Sequence, residues 1–192
     1  MARRRKNLDK ILVVDIEATC WERGKEVKGQ RQEIIEIGVC HLDVKTLEVT
    51  RPRALFVTPE HSTVSDYCTE LTSITPEMLD EEGISFEAAC ELLKSQYGSV
   101  SRPWASYGDF DRTAFETDCR RNQVNYPFGK SHINIKSLLA LSHGWAHEVG
   151  MARALKDLGL ILEGRHHRGV DDAVNAAKIL ATTFKMVRSI DA

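Results

Sequence analysis

Acidic side chains stand at three places in the 192-residue chain where their spacing could do chemistry. Asp15 and Glu17, one residue apart, close an apolar run, Ile11-Leu12-Val13-Val14. Gly108-Asp109-Phe110-Asp111-Arg112 supplies two more near the middle of the chain. Arg165-His166-His167-Arg168-Gly169-Val170-Asp171-Asp172 sets a histidine five positions before an aspartate in two registers, His166 with Asp171 and His167 with Asp172. On a strand the side-chain period is two, so Asp15 and Glu17 point to one side and converge. Ionised side by side they repel, and such a pair needs a raised pKa or a bound cation; hard oxygen donors suit Mg²⁺ or Mn²⁺. By itself an Asp-x-Glu pair also reads as a solvated strand end, so its weight rests on what the rest of the chain brings to it.

The elements that must position these groups follow from periodicity. Residues 11–14 run apolar without alternation into Asp15-Ile16-Glu17, the pattern of a strand covered on both faces. Ile34-Ile35-Glu36-Ile37-Gly38-Val39 and a run over residues 47–57 read as two further strands, turned as a hairpin at residues 43–46. Thr75-Pro76-Glu77-Met78 and Ser85-Phe86-Glu87-Ala88 carry the cap residues that open helices, the second running to about Tyr97. A short strand over residues 103–107, a helix over residues 111–122 and a last strand at Ile133-Asn134-Ile135 precede helices that fill the C-terminal third. Three strands followed by strands separated by helices predict an α/β fold, a mixed central sheet of about five strands flanked by helices.

Helix phase separates the two aspartates at the end of the third motif. At about 100° per residue, Val170, Ala173, Val174, Ala177, Leu180, Ala181 and Phe184 form the buried stripe. Asp171 shares its direction with Asn175, Lys178 and Thr182 in the middle of the solvent face, where an acid complements the helix dipole. Asp172 lies beside Ala176 and Ile179 at the stripe's border and can face the sheet end, which leaves His166 as the bystander of the two histidines. In the middle motif Asp109 is placed to cap a helix, and Asp111, further on, to project toward the same site.

Composition bounds what the site could serve. The length fits one domain with a sizeable core, expected over residues 9–190 after a flexible basic tail at residues 1–8 that carries Arg3-Arg4-Arg5-Lys6. A hydrophobic share of 42% is that of a globular enzyme. No stretch approaches a membrane span and no secretory leader is present, so a soluble, cytoplasmic protein with no membrane partner is expected. Five scattered cysteines without a Cys-x-x-Cys pair fit reduced thiols. A net charge of −2 neither announces nor excludes a nucleic-acid partner.

Taken in order, Asp15-Ile16-Glu17-Ala18-Thr19, Gly108-Asp109-Phe110-Asp111 and His167-x4-Asp172 resemble the three exonuclease motifs of the DEDDh group of DnaQ-like 3′→5′ exonucleases. Ser65-Asp66-Tyr67-Cys68, Leu71-Thr72-Ser73-Ile74-Thr75 and the segment from Gly164 to Asp172 are most similar to the Eri-type RNA exonuclease branch, whose animal members trim histone mRNA ends, small RNAs and ribosomal RNA. The resemblance implies a ribonuclease H-like fold and two-metal phosphodiester hydrolysis at single-stranded RNA or DNA 3′ ends, RNA favoured. It also implies that Asp15, Glu17 and Asp172 hold two Mg²⁺ or Mn²⁺ ions, roughly 3.5–4 Å apart. Asp111 would complete the set through metal-bound water, and neutral His167 would take the proton of the attacking water as general base. The 3′ oxygen would leave, nucleoside 5′-monophosphates would be released, and backbone groups of Ala18 and Thr19 would meet the terminal nucleotide. No separate nucleic-acid-binding domain is expected before these motifs, and the target preferences of longer relatives are not carried over.

Other residues divide between binding and packing. Trp21 could stack on a terminal base. Phe110 and Phe115 are expected in the core, and Cys20 buried and inert among oxygen ligands. Arg165, Arg168 and the loop cations Arg23, Lys25, Lys28 and Arg31 could meet phosphates. Two other readings stay open: a DNA or proofreading-type exonuclease, and a non-catalytic nucleic-acid-binding scaffold on the same fold.

Overall fold

The apolar run at the start becomes the central strand. In the computed structural model, which describes residues 6–189, β1 (Lys10–Ala18) pairs antiparallel with β2 (Ile34–Asp43), which pairs antiparallel with β3 (Val49–Phe56). The first five residues of the expected basic tail lie outside the described residues. The chain then forms α1 (Asp66–Thr72), α2 (Pro76–Glu82) and α3 (Phe86–Tyr97) before β4 (Trp104–Ser106) pairs parallel with β1. After α4 (Phe110–Arg121), β5 (His132–Asn134) pairs parallel with β4, and α5 (Ile135–Ser142), α6 (Met151–Asp157) and α7 (Gly169–Ser189) follow. The sheet order is β3-β2-β1-β4-β5, the mixed five-stranded sheet expected from the sequence.

Because β1 has neighbours on both edges and helices on both faces, its side chains sort strictly by parity. Leu12, Val14 and Ile16 pack with Phe86, Leu93, Trp104 and Phe115 on the α3/α4 side. Ile11 and Val13 pack with Leu139, Leu155, Ala173 and Leu180 on the side of α5, α6 and α7. Each fully buried aliphatic here contributes about 1.5–3 kcal/mol. Asp15 and Glu17 continue the odd-numbered face, so the same period that builds the core aims both acids at the N-terminal end of α7.

The predicted caps are observed. The Thr75 hydroxyl accepts from the Met78 N–H with Pro76 at the first helical position, and the Ser85 hydroxyl accepts from the Ala88 N–H. Asp43 turns the β2–β3 hairpin by accepting from the Lys45 and Thr46 amides. Helix α1 was not expected, although Ser65 caps it in the same way, accepting from the Cys68 N–H.

On α7 the buried face is broader than the apolar stripe. Ala176, Ile179 and Thr183 are buried, while Val170 and Val174 are only half-buried. Asn175, expected in the middle of a solvent face, has no exposed surface. The segment over residues 160–165 lies across that face, and Asn175 exchanges two hydrogen bonds with the Glu163 backbone, at 3.0 and 2.9 Å. None of the helices among the described residues is long and apolar enough to cross a membrane.

Candidate active site

Asp15, Glu17 and Asp172 converge: one carboxylate oxygen from each lies within 4.8 Å of the others. Two come from the odd face of β1 and the third from the first turn of α7. Close backbone approach sets that third position. A β-carbon on Gly38, opposite Asp15 on β2, would overlap the Gly169 carbonyl, so only glycine lets the helix start this near the sheet.

Glu36 fixes the helix from below. It is fully buried and pairs across β1–β2 with Glu17. Its carboxylate accepts from the amides of Gly169 (3.1 Å) and Val170 (3.2 Å) and from Arg168 Nε (3.2 Å). An anion on the free N–H groups of a helix start is favourable both as hydrogen bonding and through the helix dipole. Arg168, counted above among the phosphate-binding candidates, is spent on this pair and on the face of Phe56, 5.5 Å from its ring centre. Arg165, the other motif cation, donates to the Glu70 carbonyl. Glu36 is not among the acids that spacing singles out; its signal is an acid inside Ile34-Ile35-Glu36-Ile37, a run with no solvent face.

Asp172 is buried, accepts the His167 amide at 2.9 Å and faces His166 Nδ1 at 3.0 and 3.1 Å through its two oxygens. The histidine expected to stand apart thus contacts Asp172 directly. Its ring stacks on that of His167 with centres 4.1 Å apart, and a ring nitrogen of each lies within 4.8 Å of an Asp172 oxygen. Helix phase correctly turned Asp172 inward but could not orient two residues that precede the helix, where His167 takes a left-handed backbone with φ 64°. Asp171 is half-buried rather than a free first-turn acid: it accepts the Arg165 amide at 2.8 Å, and its carboxyl occupies the space that a side chain on Gly164 would need.

Asp111 is buried and accepts the Ile16 amide at 2.9 Å, which ties α4 to the carboxylate-bearing end of β1. It does not belong to the group of oxygens within 4.8 Å. Asp109 is exposed and does not use its side chain as a cap; it accepts from Asn134 Nδ2 at 3.0 Å and pairs with Arg112. Phe115 is buried as expected, whereas Phe110 is 55% exposed. Asp111 and Phe115 are one helical turn apart on the inner face, and Phe110 points away from it into a groove shared with Ala18, Ile34 and Thr113.

Thr19 is buried and committed to the fold. Its amide donates to the Glu33 carbonyl, and its hydroxyl accepts the Glu33 amide and shares a hydrogen bond with Ser62. Trp21 is half-buried, with no acceptor for its Nε1 among the described residues. Cys20 is half-buried, its thiol pushed up to about 12 by burial, with the neighbouring Cys68 adding to the rise.

Electrostatically the site is overloaded. Burial first, then the charges of Asp111, Asp172, Glu17 and Glu36, drives the Asp15 carboxyl well above the usual range. Burial, with Asp172, Glu36 and Asp111 behind it, pushes Glu17 up to about 8. Asp111 is raised to about 6, burial outweighing the amide it accepts from Ile16. Burial, reinforced by His166, lowers His167 below the ordinary histidine value. Among the described residues neither Asp15 nor Glu17 accepts a side-chain hydrogen bond, and the Arg168 charge that pulls Glu17 down is outweighed by burial and the acids. Carboxylate oxygens that converge without donors match the needs of a hard divalent cation.

The model of the exonuclease family, RNase_T, matches residues 12–180, a stretch that contains all three acidic motifs. The chain belongs to that family. It is 30% identical over 211 residues to ERI1 exoribonuclease 2 of Xenopus laevis, covering 94% of this chain and 30% of that protein. It is 32% identical over 184 residues to the 3′-5′ exoribonuclease 1 of Homo sapiens, covering 89% of this chain and 51% of the relative. The nuclease domain of 3′hExo, a DEDDh family member solved bound to rAMP, superposes with a TM-score of 0.79 at 28% identity, over 96% of this chain and 94% of that one. The chain thus spans 30% and 51% of these two curated relatives but nearly the whole of the solved domain. The ribonuclease H-like fold expected from the motifs is the fold observed.

Proposed function

We propose that this domain is a divalent-metal-dependent 3′→5′ exonuclease that removes nucleoside 5′-monophosphates from single-stranded RNA ends in preference to DNA. The observation that carries the reading is the convergence of Asp15, Glu17 and Asp172 within 4.8 Å, with no donor on two of them and a neutral imidazole alongside. The donor set suits two Mg²⁺ or Mn²⁺ ions, which when bound would offset the clustered negative charge and polarise the scissile phosphate and the attacking water.

The chain's own residues do the rest. His167, held neutral by burial and by His166, accepts the proton of the attacking water at a ring nitrogen. His166 orients Asp172 through Nδ1, and Glu36 holds the turn that presents Asp172 and both histidines. Asp111 fixes the end of β1 at Ile16, so Asp15 and Glu17 keep their separation. Ala18, at the strand end, and the exposed ring of Phe110 line the groove that would receive the terminal nucleotides, with Trp21 on the following loop. Support for RNA comes from the relatives, named exoribonucleases.

The test is incubation with 5′-labelled RNA and DNA oligonucleotides of one sequence, with Mg²⁺, with Mn²⁺ and with chelator. A ladder shortening one nucleotide at a time, faster on RNA and absent with chelator, is expected. Turnover in chelator, or faster decay of DNA, would contradict the metal or the substrate assignment respectively.

A further inference from the structure

Outside the acidic site, a cluster of cations with room for a ligand lies at the far end of α4. An open basin of about 430 Å³ is lined by Arg31, Thr117, Arg120 and Arg121. It adjoins a second groove of about 130 Å³, whose walls include Ala18, Phe110, Thr113 and, shared between the two, Thr117. The two share Thr117 and together follow α4 from Ala18, the residue after Glu17, to the arginines.

The three arginines are not equivalent. Arg121 is spent on the fold: it donates to the Gln32 carbonyl at 3.1 Å and pairs with Asp118 at 3.2 Å and with Glu33 at 3.9 Å. Arg31 and Arg120 are exposed, and neither makes an ion pair among the described residues; Arg120 uses only its Nε, on the Glu116 carbonyl at 3.1 Å. Both guanidinium ends are thus free, set around a basin whose fourth wall is a threonine hydroxyl. A fork of donors facing open space with no carboxylate to meet it is the chemistry that takes a phosphodiester.

We infer that Arg31 and Arg120 form a backbone-binding subsite for the upstream phosphates of the single strand whose 3′ end occupies the acidic site. This rests on the exonuclease reading and extends it to the length of strand the domain grips. From Phe110 to Arg120 the helix advances about 15 Å. A stacked strand places one phosphate roughly every 3.4 Å, so the arginines meet the strand about four nucleotides upstream of the one beside Phe110. They bind phosphate, so they set grip and register without reading sequence.

The experiment compares the full chain with an Arg31→Ala/Arg120→Ala double variant and with Arg31→Lys/Arg120→Lys, on a dinucleotide and on an unstructured octanucleotide RNA. For the alanine pair KM for the octanucleotide rises roughly three- to tenfold, as for two partly exposed ion pairs. Its kcat is unchanged, dinucleotide cleavage is unchanged, and the lysine pair recovers most of the loss. Binding of the labelled octanucleotide, measured by anisotropy across a salt series, flattens by about 0.7 in log–log slope for each phosphate that an arginine no longer neutralises. Equal effects on both substrates, or no effect on the octanucleotide, would overturn the subsite. Failure of the wild type to hydrolyse either RNA would instead defeat the exonuclease reading; the subsite then stands only if octanucleotide binding still depends on the two arginines, and falls if it does not.

Discussion

Replacing Glu17 by glutamine should stabilise the metal-free protein while removing its activity. Burial and the neighbouring acids move the Glu17 carboxyl from an ordinary 4.5 to about 8. In this range the unfolded chain has released its proton and the folded chain keeps it, so the folded state binds more protons and stability falls as pH rises. The penalty is absent below 4.5, grows through the window up to about 8, and is complete above it. Each pH unit inside the window costs about 1.4 kcal/mol, which gives about 3 kcal/mol at pH 7. Glutamine has nearly the same shape and cannot ionise, and no donor among the described residues depends on the carboxylate. At pH 7 in chelator the variant should melt roughly 6–12 °C above the wild type, for a chain of this size. At pH 4 the two should coincide. Adding Mg²⁺ should raise the wild-type melting temperature, increasingly toward pH 8, because the ion replaces the proton as the partner of the charge; the variant should gain less. Circular dichroism melts from pH 4 to 8, with and without Mg²⁺, read all of this. Parallel pH slopes for the two proteins, or a variant less stable than wild type at pH 7, would refute the charge-cluster argument.

The remaining expectations concern the groups around that cluster. Asp15→Asn and Asp172→Asn should each stay folded by circular dichroism and lose hydrolysis, and wild-type turnover by either in Mg²⁺ would remove it from the ligand set. His167→Ala should lose about 10²–10⁴-fold in kcat, the range of a general base; His166→Ala should lose roughly ten- to hundredfold, as a group that orients a ligand, and the reverse order in single-turnover assays would exchange the roles. Because His167 is held below the ordinary histidine value, kcat should persist through that ordinary value and fall only at more acidic pH. Glu36→Gln should lower stability by about 3 kcal/mol, since Arg168 and two helix amides lose a buried anionic partner; an unchanged melting temperature would mean that α7 is seated by packing alone.

What could be read in the chain, and what could not, divides along the range of the interactions. Local periodicity was enough for β1, where unbroken apolar residues meant burial on both faces and the period of two carried Asp15 and Glu17 to one side. The caps at Thr75 and Ser85 and the inward turn of Asp172 followed from equally local rules. The same helix arithmetic separates Phe110 from Asp111 and Phe115, so the exposure of Phe110 was available and was missed by treating two aromatics alike. Glu36 was harder: an acid between isoleucines signals a buried partner, but naming Arg168 and the start of α7 required knowing which element crosses β2, and Gly38 shows that only as a missing side chain. The Asp172–His166 bond was beyond sequence, because it depends on a left-handed turn at His167 that no residue type there demands. Asn175 failed for a related reason, since its solvent face is covered by a segment whose path the helix itself does not specify.

Hydrolysis from a free 3′ end at the Asp15–Glu17–Asp172 centre joins polarity to chemistry. It is tested most directly by a time course in Mg²⁺ on a single 5′-labelled RNA, carrying either a 3′-hydroxyl or a 3′-phosphate, beside the same sequence closed into a circle. The 3′-hydroxyl strand should shorten stepwise with release of nucleoside 5′-monophosphates, the 3′-phosphate strand, whose added charge and bulk crowd a pocket meant for a neutral hydroxyl, should decay slowly or not at all, and the circle should stay intact. Rapid loss of the blocked strand, or cuts in the circle, would contradict it and make the site that of an endonuclease.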